Sequence, residues 1–247
     1  MTVPRFYCPG ELSTESVQGE FALPDDVAHH ALRVLRLAVG ERITLFSGAG
    51  GEFAATLIRA DKRGATVRID GFDAVEREAA LAVTLAQGIA ASDAMDHAVR
   101  KSVELGVAAI QPVLTERSAR MPDGERGEKR LAHWRQIVVA ACEQCGRNRV
   151  PEVHGTLTLE RWLATRQDTT AGLVLAPGAE TPIADTPRPL GQLHLLVGPE
   201  GGLAPAEIGA AQRGGMIGVH LGPRVLRTET AALAALAAIN ALWGDFR

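Results

Sequence analysis

Three charged side chains crowd one short stretch near the end of the chain: Arg224, Arg227 and Glu229. A guanidinium offers fixed N–H donors to an oxyanion, and a carboxylate beside it can take up a proton. The stretch is bounded by features that suit a flat ligand. Residues 193–197 form a short apolar, β-rich run that empties into Gly198-Pro199-Glu200-Gly201-Gly202. A second apolar run, residues 217–221, ends at Gly222-Pro223-Arg224-Val225-Leu226-Arg227-Thr228-Glu229-Thr230. Two buried parallel strands, neighbours in one sheet and each ending in a glycine turn, would form a ligand crevice. Glycine lets the backbone take positive φ and approach a ligand closely. Neither turn has the spacing of a dinucleotide fingerprint or a phosphate-binding loop. Either turn alone reads equally well as an ordinary strand-to-helix turn; the pair, with two arginines and a glutamate beside it, points to a site.

The elements that must hold these residues follow from the pattern. Pro205 and Glu207 favour a helix start, and Thr228 or Thr230 can cap an alanine-rich helix over residues 230–243. Upstream, residues 81–86, 107–113 and 172–175 read as apolar strands. Helices are expected over 92–105 and 131–144, with residues 123–130 a charged segment between elements. Strand and helix alternate throughout, which predicts an α/β domain with a mainly parallel sheet over 81–247. Residues 1–72 differ. A short helical segment carries Ala28, Leu32 and Leu35 on one face and Arg33 and Arg36 three apart. Short alternating strands over 42–46, 52–58 and 65–69 follow, as in a small β-barrel. The charged residues 73–80 read as a linker.

Other motifs carry less. Cys142-Glu143-Gln144-Cys145 lacks the second pair that a zinc site wants, and it precedes Gly146 at a helix end, whereas reactive pairs sit at helix starts. Cys142 reads as a small buried hydrophobe. The seven histidines form no ligand spacing, and His194 and His220 fall inside strand patterns. No metal site is expected. No apolar run reaches the length of a membrane span, and the first residues lack the apolar stretch of a signal peptide, so a cytoplasmic protein is expected. With 26 basic and 29 acidic residues the net charge is −3, so a nucleic-acid partner would need basic side chains gathered on one face.

The two glycine turns, read with Arg227-Thr228-Glu229-Thr230-Ala231, resemble the signature pair of the RsmE family. These are bacterial 16S ribosomal RNA (uracil-N3)-methyltransferases of the SPOUT class. The resemblance implies a C-terminal trefoil-knot domain, against the usual rule of unthreaded connections. It implies S-adenosylmethionine bound in that knot, a PUA-like barrel that holds RNA, and a homodimer to which the final helix contributes. By that resemblance, Leu175, Ala176, Pro177, Leu196, Val197, Gly198, Pro199, Glu200, Gly201, Gly202, Leu221, Gly222, Val225, Leu226, Thr228 and Ala231 surround the cofactor. Ala176 departs from the family pattern, which has histidine before the proline. Arg5, Arg33 and Arg36 of the barrel, with Gln144, Arg147 and Asn148, are expected to face RNA of the small (30S) subunit.

Methylating uracil N3 requires removal of the imide proton and stabilisation of charge on the flanking carbonyl oxygens. Arg227 and Glu229 could fill these roles, with Arg224 and Glu143 as further candidates; which group is the base stays open. A ribose 2′-O-methyltransferase, a dinucleotide-dependent oxidoreductase and a non-catalytic RNA-binding assembly factor are the competing readings.

Overall fold

The structure is a computed structural model that describes residues 3–10, 12–61, 64–122, 124–167 and 170–246. The chain forms two compact units: residues 1–78 with 142–150, and residues 79–141 with 151–247. A division at the linker alone is therefore incomplete, because residues 142–150 group with the N-terminal unit.

The N-terminal unit is built on β1 (Arg5–Tyr7), β2 (Glu20–Ala22), β3 (Arg42–Phe46), β4 (Glu52–Asp61) and β5 (Gly64–Asp73). The sheet order is β1-β3-β4-β5-β2; β1 lies parallel to β3 and the other pairs are antiparallel. Alternation decides which face is buried: Phe53, Ala55 and Leu57 on β4 and Ala65, Val67 and Ile69 on β5 all point into the core. Register shifts at Ala54/Ala55 and Leu57/Arg59 bend β4 against β5.

The helical segment departs from expectation. Helix α1 (Asp25–His29) passes directly into a π-helical turn, His30–Val34. The wider turn shifts the facing residues, so Val27, Ala28 and Ala31 are buried while Leu35 is exposed. Arg36 lies beyond the helix at φ 57°, so Arg33 and Arg36 do not share a helical face.

Residues 73–78 of the segment expected as a linker belong to this unit and are tied into it. Asn148 Nδ2 donates to Val75 O at 3.0 Å, Arg149 pairs with Glu76 at 3.2 Å, and Arg147 pairs with Glu78. Glu52 receives both Arg5 (2.6 Å) and Arg77 (2.9 Å). Burial pushes its carboxyl up, but hydrogen bonds from Arg77 and Arg5 outweigh this and bring it down to about 2. A depressed carboxylate pKa stabilises the fold above its unfolded value and loses that stabilisation as pH falls through the folded one. Glu52→Gln is therefore expected to cost on the order of 1 kcal/mol at neutral pH, a modest figure because the site is partly solvated. In urea titrations that difference should shrink as pH falls from 4.5 towards 2; a pH-independent difference would mean that the charge contributes nothing.

The second unit carries β6 (Ala82–Gly88), α2 (Ser92–Glu104), β7 (Ala109–Leu114) and α3 (Glu125–Cys145), the last four residues of which group with the N-terminal unit. It continues through β8 (Glu152–Val153), β9 (Leu157–Thr158), α4 (Leu159–Thr165), β10 (Ala171–Leu175) and β11 (Thr181–Pro182). It ends with β12 (Gln192–Val197), α5 (Pro205–Arg213), β13 (Ile217–His220) and α6 (Thr228–Trp243). The order is β11-β13-β10-β12-β6-β7-β8, with β9 also beside β7, and every pairing is parallel. Helices α4 and α5 close over a core of Ala86, Val113, Leu159, Trp162, Val174, Leu196, Leu203, Ala211 and Met216. Helices α2 and α6 pack on each other, and buried Asn240 donates to Leu105 O at 2.7 Å, capping the end of α2. Residues 125–130, expected outside a helix, are the first turns of α3. Glu125, Arg126, Glu128 and Lys129 are exposed, and the buried apolar side chains Leu131, Trp134 and Val138 follow them.

Candidate active site

Strands β12 and β13, which end in the two glycine turns, are not neighbours: β10 lies between them. The site consequently has three turns at the carboxyl ends of three parallel strands, the middle one being Ala176-Pro177-Gly178. Ala176 is buried and its N–H donates to Val219 O at 3.0 Å, which ties this turn to β13.

Each glycine has its own reason. A Cβ at Gly198 would lie 2.8 Å from Leu203 N, so this residue lets the turn close on itself. Gly202 takes φ +68° and donates to Pro199 O at 2.8 Å. Gly222 takes φ +93° and donates to His220 Nδ1 at 3.0 Å. A Cβ at Gly202 or Gly222 would meet nothing within 4 Å, so both border open space.

A supporting layer fixes the turns. Glu200 Oε1 accepts from Ala91 N at 2.7 Å, just ahead of α2. Arg117 donates to Gly201 O at 2.9 Å. Glu207 accepts from Ala204 N and Glu116 N, both at 2.8 Å, which joins the start of α5 to the turn after β7. Thr228 is the first residue of α6 rather than its cap, and its hydroxyl donates to Gly198 O at 2.5 Å. Gln87, buried at the end of β6, donates to Thr228 Oγ1 at 2.9 Å. Gln87, Arg117 and His220 had no motif to announce them; the one legible signal was an amide side chain closing an apolar strand.

A cavity of about 280 Å³ opens here, lined by Ala94, Glu200, Arg227, Thr228 and Glu229. Arg227 is exposed, Glu229 half-buried, and among the described residues neither side chain carries an ion pair. Arg224 and Val225 are exposed on the same loop. Leu221, Leu226 and Ala231 are partly buried around it. Leu196 and Val197 point into the core, so only their main chain is available to a ligand. Leu175 closes β10, with Pro177 exposed beyond it.

The remaining predicted residues belong to the N-terminal unit, and several have other work. Arg5 lies between Glu52 and Asn148 Oδ1, bonded at 2.6 and 2.7 Å. Arg147 is 4% exposed and Asn148 fully buried. Buried polar groups need internal partners, and these have them. Arg5, Arg147 and Asn148, expected to face RNA, are held by bonds within their own unit. Arg33, Arg36 and Gln144 are exposed. Glu143 is half-buried and accepts from Tyr7 N at 3.0 Å. Burial pushes its carboxyl up, against the Tyr7 hydrogen bond and nearby His30 and Arg5, with Asp26 adding to the rise. Cys142 is buried as expected, and burial pushes both Cys8 and Cys142 up to about 12. These are not reactive thiols. His194 is half-buried; burial, with nearby Arg166 and His154, lowers it to about 4, and Arg166 Nε donates to its Nδ1 at 3.2 Å. Among the described residues no helix is long and apolar enough to cross a membrane, and no His/Cys/Asp/Glu group could hold a metal.

Residues 77–240 match the model of the RNA methyltransferase domain, and residues 23–70 that of the RNA methyltransferase PUA domain. Ribosomal RNA small subunit methyltransferase E of Mycobacterium tuberculosis is 35% identical over 91% of this chain and 87% of its own. The chain belongs to the ribosomal RNA small subunit methyltransferase E family. The same-named protein of Neisseria gonorrhoeae, solved bound to S-adenosyl methionine, is 42% identical, covers both chains fully and superposes with a TM-score of 0.93. A putative methyltransferase of Legionella pneumophila, in complex with the same cofactor, is 37% identical, covers both chains fully and gives 0.94. Family membership accounts for both units, a PUA domain ahead of a SPOUT-type α/β methyltransferase domain.

The residues present fit S-adenosylmethionine. Gly202 and Gly222 border open space, Glu200 and Glu229 supply carboxylates to the cavity for a sulfonium cation, and three turns offer main-chain groups to a flat base. The chain is a methyltransferase that uses this cofactor.

Proposed function

We propose that this protein methylates N3 of a specific uridine in the decoding region of 16S ribosomal RNA, acting on the assembled small subunit in the cytoplasm. The observation that carries this reading is Arg227 and Glu229, one on each side of Thr228, in the cavity beside the first glycine turn and without structural ion pairs among the described residues.

S-adenosylmethionine supplies an electrophilic methyl group on a sulfonium sulfur. The uracil N3 proton must leave before the nitrogen can attack along the S–CH₃ axis. Glu229 accepts that proton. Arg227 donates to the carbonyl oxygen on which charge develops, with Arg224 on the same loop as a second donor. The N3–C bond forms as the C–S bond breaks, and S-adenosylhomocysteine leaves. Alignment is the main task of the protein, because no covalent or metal step intervenes.

Exposed Arg33 and Arg36 are the phosphate contacts this reading assigns to the PUA-like unit, with Gln144 on the substrate side. The proposal includes a homodimer with α6 at its interface, and a trefoil knot in the segment that ends in α6.

The test incubates the protein with 30S subunits and labelled S-adenosylmethionine and analyses the nucleosides. N3-methyluridine at one position is the expected product. A 2′-O-methyl nucleoside, or no product with either subunits or naked rRNA, would overturn the assignment.

A further inference from the structure

We infer that Gln87 is a positioning residue that locks the first glycine turn to the start of α6 and so holds the cofactor turn and the Arg227/Glu229 pair in one frame. The inference rests on the methyl-transfer reading above. Gln87 is 1% exposed at the end of β6, where an unbonded amide would be strongly disfavoured. Its Nε2 faces three oxygens: Thr228 Oγ1 at 2.9 Å, Gly88 O at 3.0 Å and Gly198 O at 3.4 Å. The Thr228 hydroxyl, accepting from Gln87, donates to Gly198 O at 2.5 Å. The three groups close a triangle across residues 30, 111 and 141 positions apart in sequence.

The two carbonyls fix the orientation of the amide, since turning its oxygen towards them would set acceptor against acceptor. Gln87 Oε1 is left buried without a partner among the described residues. A residue present only for packing would be an aliphatic one, which leaves no such atom. The neighbouring glycine has the complementary role: a Cβ at Gly88 would lie 2.6 Å from Pro199 Cδ and 2.7 Å from Pro199 N. Gly88 lets β6 touch the turn, and Gln87 ties the turn down. The use of Thr228 is equally specific. Arg227, the residue preceding α6, makes no side-chain cap, and the hydroxyl of Thr228, the first helical residue, goes to Gly198.

The tie can be read without cofactor. In Gln87→Leu, amide exchange of peptides covering residues 198–203 and 228–232 in the apo protein should rise about tenfold, as local opening becomes easier. At saturating S-adenosylmethionine, single-turnover methylation of 30S subunits should fall about 10²-fold, the scale of a small misplacement of reacting groups, with cofactor affinity changing far less. Thr228→Val should behave alike, Thr228→Ser should lose less than Thr228→Val, and the double variant should be no worse than either single one, as expected of one interacting unit. Gln87→Met, unbranched and of similar length, serves if the leucine variant does not fold. Wild-type exchange and wild-type turnover in the folded variant, or additive losses in the double variant, would overturn the inference. If the unaltered protein fails to bind S-adenosylmethionine or to methylate RNA, the methyl-transfer reading fails instead, and the apo exchange still tests the tie.

Discussion

Arg227→Ala should bind S-adenosylmethionine within a few-fold of the unaltered protein and turn over about 10²–10³-fold more slowly, the usual effect of removing one oxyanion donor. The binding half of this result follows from what Arg227 does not do. Its guanidinium forms no ion pair among the described residues, and its contribution to α6 is through the main chain, where Arg227 O accepts from Ala231 N at 2.7 Å. Alanine keeps that bond. The rate half follows from position, since Arg227 lines the same cavity as Glu229 and Glu200. Arg224, the second donor of this reading, is exposed on the same loop without lining that cavity, so Arg224→Ala should lose less rate than Arg227→Ala. Calorimetry with S-adenosylmethionine and single-turnover methylation of 30S subunits separate the two halves. Equal loss of affinity and rate would make Arg227 a cofactor ligand, and an unchanged rate would remove it from the chemistry.

The sequence made local patterns legible and left partnerships hidden. Glycine turns, the proline at the start of α5 and the apolar strands β3 and β12 are short-range signals, and they stand where spacing put them. That β10 separates β12 from β13 is a property of chain crossing, which no local pattern encodes. Arg5 and Arg147 show the same limit in the site. As residue types they suit phosphate, and their pairing with Glu52 and Glu78 is not written in any local pattern. The π-helical turn at His30–Val34 is subtler: it inserts extra backbone per turn, so a count in steps of three and four places Ala28 and Leu32 on the core side but wrongly predicts burial of Leu35. Gln87 was visible as a polar residue ending an apolar strand, but its acceptors lie on two segments remote in sequence.

Gly202→Val should abolish measurable S-adenosylmethionine binding while the protein stays folded. The cause is the backbone rather than space. Gly202 holds φ +68°, and a Cβ there would meet nothing within 4 Å. A β-branched residue is strongly disfavoured in that region, so the turn must reroute, at a cost of about 1–3 kcal/mol or more if held. Rerouting breaks the Gly202 N–H to Pro199 O bond and carries Gly201 and Glu200, at the mouth of the cavity, with it. The fold survives because the turn is on the surface, and the core beneath it begins with the next residues, Leu203 and Ala204. Asparagine tolerates the left-handed region better than other side chains, so Gly202→Asn should retain more affinity than valine, a difference that simple bulk would not produce. Gly198 is the less informative position, since its Cβ would strike Leu203 N at 2.8 Å and disturb fold and site together. Thermal unfolding with calorimetric titration reads both effects. A folded valine variant that binds S-adenosylmethionine like the unaltered protein would place the cofactor elsewhere than this turn.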